Sequence, residues 1–239
     1  MLPINCDIGE RGADHPVDLQ LMAWIDIASV ACGGHAGDNR SVEAFRGRAE
    51  KRGIAVAAHL SYPDRENFGR RSIEIPWAEL LESLHRQYAL MADVTMVKFH
   101  GALYNDSCRH EDLAETLAGW LTETACTTVI TAPASTLAQA CARAGIAVFT
   151  EGFAERRYRL DPEDGSLSLV SRERSWASIH DLQEALGQAR RIAGSHTVEA
   201  VVEADGRIVE TRTAPLPAQT ICIHSDSPIA LDLARELKG

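Results

Sequence analysis

The sequence predicts an α/β protein built on a parallel β-sheet, and two observations carry that prediction. Seven short apolar segments alternate with segments of helical periodicity along the 239 residues. The short segments are apolar at successive positions, which is typical of parallel strands buried on both faces. The alternation does not determine whether the sheet is open or closes into a barrel. No linker or low-complexity stretch divides the chain, so we expect a single domain over residues 1–239.

The seven predicted strands are short and separated by segments long enough for a helix. They cover residues 3–8, 26–31, 54–59, 95–100, 127–131, 146–151 and 220–224. Between them, apolar residues recur at helical spacing, as at Val42, Phe45 and Ala49. Two predicted helices end at a glycine, Gly53 and Gly145, and an Ile-Ala-Val strand start follows each of them directly. This recurrence favours repeated helix–strand units.

Two segments break the alternation and predict β-hairpin insertions. Residues 158–172 alternate around Asp164-Gly165, and residues 199–211 alternate around Asp205-Gly206. An Asp-Gly pair between alternating segments favours a tight hairpin turn, because both residues tolerate a positive φ. We therefore expect the first segment to lie outside the parallel sheet, and the second to form a similar hairpin.

Composition and charge exclude several classes of function. The formal net charge is −10 and the isoelectric point about 5.4, which argues against binding to nucleic acid or to an anionic membrane. No apolar run approaches the ~18 residues of a membrane span, and the N-terminus lacks the pattern of a secretory signal. The six cysteines form no C-x-x-C pair. We expect a reduced, cytoplasmic protein that acts on a small molecule.

Ionisable side chains gather where the predicted strands end. The group consists of Asp7, Glu10, His35, His59, Lys98, His100, His224 and Asp226. Active sites of parallel α/β folds form at the carboxyl ends of the strands, so we expect these side chains to share one site. Histidines and carboxylates that meet at the same end of a sheet suit general acid–base chemistry or a metal site. Their spacing in the sequence leaves both interpretations open.

Lys98 and His100 lie on one face of the fourth predicted strand. A lysine at a buried strand end needs an anionic partner. We expect a substrate carboxylate or phosphate to be that partner, so Lys98→Ala and His100→Ala should lower activity far more than stability. If it is a carboxylate of the chain such as Asp7, Lys98 holds the barrel together instead.

Other polar segments near strand ends are less specific. Arg70 and Arg71 form a double arginine that suits a carboxylate or phosphate, although a solvated helix start explains it equally well. Tyr104 and Asn105 follow His100 closely. Neither a phosphate-binding P-loop nor a G-x-G-x-x-G or G-x-S-x-G pattern is present, so a nucleotide would have to bind in another way.

Six segments, taken together, resemble the LamB/YcsF family, which includes the A subunit of the bacterial ATP-dependent 5-oxoprolinase. They are NCDIGE (5–10), ACGGHAGD (31–38), AH-x-x-YPD-x-x-x-FGRR (58–71), VK-x-HGALYN (97–105), E-x-FAERRY (151–158) and ICIHSDSP (221–228). They run in order along nearly the whole chain. The resemblance implies a closed seven-stranded (β/α) barrel of the glycoside hydrolase/deacetylase type, with β-hairpin insertions.

The resemblance also implies an activity, in which the lactam of 5-oxo-L-proline is opened to L-glutamate with ATP hydrolysis. Partner subunits B and C are expected, whereas the location of ATP and self-association into a homo-oligomer stay open. The residues expected to be catalytic are Asp7, Glu10, Lys98, His100, His224 and Asp226. Those expected to bind substrate are His35, His59, Arg70, Arg71, Tyr104 and Asn105.

The chain departs from the family pattern near the expected mouth. The family's usual GFG after the first motif has become Arg11-Gly12-Ala13, and Gly34 stands where an aromatic residue is usual. We expect these two losses to enlarge the pocket or to remove a stacking wall, which leaves the substrate open.

Two alternatives to the lactam interpretation remain. The first is a metal-dependent deacetylase or amidohydrolase, with Asp7, His35 and His59 around one divalent ion and His224 or Asp226 as acid or base. The second is a non-catalytic regulatory subunit that binds a ligand.

Overall fold

The computed structural model describes residues 1–204 and 207–239, and seven parallel strands form its centre. They are Ile4–Ile8 (β1), Ile27–Ala31 (β2), Ala55–Leu60 (β3), Met96–Phe99 (β4), Thr128–Thr131 (β5), Ala147–Phe153 (β6) and Thr220–His224 (β11). Each lies where the sequence predicts a strand. The strands close into a barrel in the order β1-β11-β6-β5-β4-β3-β2, because β1 pairs with both β2 and β11. The predicted seven-stranded barrel is confirmed.

Eight helices are described, and those of the β/α units surround the barrel. They are Pro16–Leu21 (α1), Asn39–Arg52 (α2), Trp77–Ala89 (α3), Gly101–Ser107 (α4), Glu111–Thr122 (α5), Thr136–Arg143 (α6), Leu182–Ser195 (α7) and Ala230–Lys238 (α8). Helix α2 begins at a capping box between Asp38 and Ser41 and ends at Gly53, whose φ of 67° is left-handed. Its residues Val42 and Phe45 are buried in the main core.

The inside of the barrel is filled in layers. The lower layer is apolar and consists of Ile27, Ala57, Met96, Ile130 and Phe149. Side chains two positions further along a strand return to the same face, so His59, Lys98 and Glu151 follow three members of this layer. An ionisable layer therefore lies directly above the apolar one, towards the carboxyl ends of the strands.

A four-stranded sheet is inserted between β6 and β11. Its strands are Tyr158–Leu160 (β7), Leu167–Leu169 (β8), Thr197–Ala204 (β9) and Arg207–Pro215 (β10), in the order β10-β9-β7-β8. The antiparallel pair β7–β8 confirms the first predicted hairpin. Strands β9 and β10 also pair antiparallel, but the turn predicted at Asp205-Gly206 lies outside the described residues. The insertion follows the carboxyl end of β6, so it borders the mouth of the barrel.

Two further observations concern the chain as a whole. All six cysteines are free, as their spacing predicts. Within residues 1–204 and 207–239, no helix combines the length and the apolar character that crossing a membrane requires.

Candidate active site

Lys98 lies inside the barrel and is surrounded by acceptors from three other strands. Its Nζ is 2.9 Å from Asp7 Oδ1 and 3.0 Å from Asn5 Oδ1 on β1, 3.1 Å from Glu151 Oε2 on β6 and 3.1 Å from Cys222 Sγ on β11. The side chain is only 2% exposed. Burial by itself would lower the pKa of Lys98, but the carboxylates of Asp7 and Glu151 raise that pKa above its ordinary value. The chain itself therefore supplies the anionic partners that this lysine needs.

Four side chains form a compact cluster beside Asp7, which we call the histidine cluster: Glu10, His35, His59 and His100. Glu10 Oε1 is 2.9 Å from His35 Nε2 and 3.3 Å from His100 Nδ1, and His59 Nε2 is 3.0 Å from His100 Nδ1. The rings of His35 and His100 stack in parallel with their centroids 3.6 Å apart. The strand ends thus bring together residues separated by up to 90 positions in sequence.

Burial disfavours the charged forms of two imidazoles in this cluster, His100 and His35. It lowers the pKa of His100, and the neighbouring His35 and His59 lower it further. Burial also lowers the pKa of His35, although Glu10 acts in the opposite direction. Burial alone would raise the pKa of Asp7, but His59 and Lys98 hold it well below its usual range. The site therefore combines the ionised carboxylate of Asp7 with the imidazoles of His35 and His100, whose charged forms are disfavoured.

Two glycines let His35 enter this cluster. A methyl group at Gly34 would lie 2.4 Å from both Gln87 Oε1 and Ser61 Oγ, and one at Gly69 would lie 2.9 Å from His35 Cβ. Gln87 is fixed in place, because its Oε1 accepts from Ser61 N and its Nε2 donates to Ser61 O. No free space is therefore left directly beside the Gly34 Cα, and whether the lost aromatics enlarge the pocket or remove a stacking wall stays a prediction. Gln87 and Ser61 take up the space beside the Gly34 backbone.

We predict that Gly34→Ala destabilises the fold by about 1–3 kcal/mol, because the new methyl group would have to displace the buried amide of Gln87. Denaturant unfolding measures the change. Gly119→Ala is the matched control, since Gly119 is exposed within α5 with open space around its Cα. It should be neutral or stabilise by up to about 1 kcal/mol. Equal effects of the two substitutions would contradict the packing argument.

His224 forms a histidine–carboxylate dyad at the end of β11. Its Nδ1 lies 2.5 Å from Glu155 Oε1, which also accepts the backbone N–H of His224 at 2.9 Å. Glu155 is buried, and the His224 ring stacks on Phe153. A carboxylate that holds Nδ1–H leaves the lone pair of Nε2 free to accept a proton. His224 Nε2 is 4.0 Å from Asp7 Oδ2, so it faces the same site.

The barrel mouth opens into a cavity of about 1280 Å³ with an arginine-rich rim. The arginines that line it are Arg70, Arg71, Arg109, Arg156, Arg159, Arg172 and Arg174. Arg70 and Arg172 both pair with Asp226, at 2.6 and 3.6 Å. Arg71 has no carboxylate within 4 Å among the residues that the structure describes. The rim therefore carries excess positive charge above the ionisable layer inside the barrel.

The structure brings nearly all predicted site residues to this cavity. Those that line it directly are Asp7, His59, Arg70, Arg71, Lys98, His100, Tyr104, Asn105 and His224. Glu10 and His35 lie behind them in the histidine cluster, and Asp226 reaches the rim through Arg70. The roles assigned to these residues stay predictions. The predicted site residues do not include Glu151, which ends the sixth predicted strand, or Glu155, which lies four positions beyond that end.

The comparison with known proteins decides the family. Residues 2–239 match the LamB/YcsF family model. The chain belongs to the LamB/YcsF family. A Corynebacterium jeikeium (strain K411) protein, named as the A subunit of 5-oxoprolinase, is 32% identical over 247 aligned positions, which cover 99% of this chain and 91% of that protein. The resemblance expected from the six motifs is thus confirmed along the whole chain.

Solved structures support the same barrel. A lactam utilization protein from Thermus thermophilus superposes with a TM-score of 0.78 at 28% identity, covering 99% of this chain and 94% of that one. A putative chitinase A from Streptomyces coelicolor superposes with a TM-score of 0.52 at 10% identity, covering 99% and 96%. The second likeness concerns the fold alone. For this LamB/YcsF protein, the names of its relatives point to a hydrolase that acts on a cyclic amide.

Proposed function

We propose that this LamB/YcsF protein is the lactam-opening subunit of an ATP-dependent 5-oxoprolinase, which converts 5-oxo-L-proline to L-glutamate. One observation carries the proposal: a single cavity has ionisable side chains at its base, among them Asp7, Lys98 and His224, and an arginine-rich rim above them. The whole-chain relation to a protein named as the A subunit of 5-oxoprolinase supports the choice of substrate. The same name supports a complex, and the proposal includes partners that correspond to subunits B and C.

The rim suits a substrate with a carboxylate. 5-Oxoproline carries one carboxylate beside a five-membered lactam, and Arg71 offers a guanidinium with no carboxylate partner among the described residues. The cavity of about 1280 Å³ exceeds what this small molecule fills, so a phosphoryl group on the substrate also fits. ATP is the co-substrate in the proposal.

The dyad of His224 and Glu155 supplies proton transfer. A phosphoryl group from ATP on the lactam oxygen makes the ring carbon more electrophilic. Water then adds to that carbon while His224 Nε2 takes its proton, and Glu155 holds the imidazole in position. The ring C–N bond breaks and the nitrogen receives a proton. The phosphoryl group finally passes to a second water as inorganic phosphate, which leaves ADP, phosphate and glutamate as products.

The deciding experiment measures glutamate and phosphate release from 5-oxoproline and ATP by the purified chain, with and without candidate partner subunits. We expect both products in equal amounts from the complete mixture. No glutamate from the complete mixture would overturn the proposal. Acetate release from N-acetylated sugars in its place would favour the deacetylase alternative, for which the histidine cluster also provides suitable groups.

We predict that Arg71→Gln raises KM for 5-oxoproline by about 10- to 100-fold, because one charge-assisted contact to the substrate carboxylate is lost. The turnover number should change much less. Arg52→Gln is the matched control, since Arg52 is exposed in the last turn of α2, at the opposite end of the barrel. An unchanged KM in Arg71→Gln would remove Arg71 from the substrate site.

A further inference from the structure

The four ligand atoms of the histidine cluster lie close enough together to surround one metal ion. A tetrahedral ion with bonds of about 2.0–2.1 Å keeps its ligand atoms about 3.3 Å apart. The separations of Glu10 Oε1 from His35 Nε2, His100 Nδ1 and His59 Nε2 are 2.9, 3.3 and 3.9 Å. His59 Nε2 and His100 Nδ1 are 3.0 Å apart. All four ligand atoms lie within 4.8 Å of one another.

The hydrogen bonds of two rings orient bare lone pairs towards each other. His59 Nδ1 is 3.1 Å from the backbone oxygen of Lys98, and His100 Nε2 is 3.0 Å from that of Phe68. A carbonyl oxygen only accepts, so both of these nitrogens carry the hydrogen. In the neutral rings, His59 Nε2 and His100 Nδ1 are therefore both unprotonated, although they face each other at 3.0 Å. Their contact is repulsive unless a proton or a metal ion lies between the two nitrogens.

This arrangement is the one that metal-bound histidines adopt. A ligating imidazole typically donates its other N–H to a backbone carbonyl or carboxylate, which fixes the tautomer. His59 and His100 both satisfy this pattern. His35 is held instead by its stack on His100 and by an edge contact with Phe68, whose centroid is 5.2 Å away. We propose that Glu10, His35, His59 and His100 bind one divalent transition-metal ion, with Zn²⁺ as the best match to three imidazoles and one carboxylate.

The proposed set differs from the ligands expected from sequence by replacing Asp7 with Glu10 and His100. Asp7 Oδ1 accepts a hydrogen bond from Lys98 Nζ, while Asp7 Oδ2 is 3.4 Å from His59 Nε2 and adds negative charge beside the cluster. A second group of Asp7, Cys222 and His224 also has ligand-like spacing. The ammonium of Lys98 lies against two of its members, 2.9 Å from Asp7 and 3.1 Å from Cys222. That group therefore already holds a cation.

The test measures bound metal and needs neither ATP, partner subunits nor 5-oxoproline. The full chain is purified without a polyhistidine tag and without chelator, and its metal content is determined by mass spectrometry. We expect about one equivalent of metal per chain. Glu10→Gln and His100→Asn should retain much less, whereas His85→Asn, at an exposed position of α3, should match the wild type.

A second measurement uses the wild-type chain, so that the site is still tested if the ligand variants fold poorly. Wild-type chain stripped with chelator is titrated with Zn²⁺ and with Co²⁺. At a hundred times Kd, the melting temperature should rise by about 5–10 °C, and the Co²⁺ form should show the visible absorption of a tetrahedral site. A stripped wild-type chain that binds neither ion, or ligand variants that keep a full equivalent, would overturn the assignment. Failure of the glutamate assay would leave it standing, because metal binding is measured separately.

Discussion

Lys98→Met is expected to destabilise the protein by about 3–5 kcal/mol, which lowers the melting temperature by roughly 6–20 °C. The substitution keeps the length of the side chain but removes the ammonium shared by Asp7 and Glu151. Two carboxylates would then remain inside the barrel without their cation. Removing one partner of a buried ion pair is costly because the remaining charge keeps its desolvation penalty. Thermal and denaturant unfolding of the purified variant measure the loss.

Two variants make this prediction specific. Glu151→Gln added to Lys98→Met should recover part of the stability, since it removes one of the two unpaired charges. Lys51→Met, at an exposed position of α2, should change stability by less than about 0.5 kcal/mol. A Lys98→Met variant that melts like the wild type would show that the ion pairs contribute nothing. The pairing with Asp7 and Glu151 favours the alternative in which Lys98 holds the barrel together, and its effect on activity stays a prediction.

His224→Asn is expected to lower kcat by about 10²–10⁴-fold in the glutamate assay, because asparagine cannot take the proton of water. The melting temperature should change little, since the His224 side chain is partly exposed at the mouth of the barrel. The rate per folded molecule is the quantity to compare. His85→Asn makes the same chemical change on the outer face of α3 and should leave that rate unaltered.

Glu155→Gln tests the second member of the dyad. Glutamine can still accept the Nδ1–H bond but cannot stabilise an imidazolium, so we expect a smaller loss of kcat than in His224→Asn. Combining both substitutions should cost little more than His224→Asn alone, because Glu155 acts through the histidine. Fully multiplicative losses would show that the two residues work independently. Wild-type kcat in His224→Asn would exclude His224 as the base.

The approximate positions of the barrel strands could be predicted because the signal is local. Apolar runs separated by helical periodicity locate strands within one or two residues of their observed bounds, as at β11. Strand ends then predict where ionisable residues meet, which is why Asp7, His59 and His224 are expected in one site. The Asp164-Gly165 turn likewise identifies the hairpin of β7 and β8 without reference to any distant contact.

Contacts between distant segments could not be predicted from these patterns. The sequence indicates that position 34 has lost a side chain, and periodicity gives no sign that Gln87 of α3 occupies the adjacent space. The only sequence feature that points to Glu155 as a site residue is its position after a predicted strand. Its role follows from a hydrogen bond to a histidine 69 positions away.

The sequence by itself determined the parallel α/β architecture, the approximate strand positions and the end of the barrel at which the ionisable residues gather. The tertiary structure decided which of those residues touch. Barrel closure places β1 beside β11, so that Asn5, Asp7 and Cys222 surround Lys98, and the register of β3 against β4 brings His59 beside His100. Such contacts depend on the curvature and register of the closed sheet. Local periodicity carries no information about either, because it fixes only which face of a strand each side chain occupies.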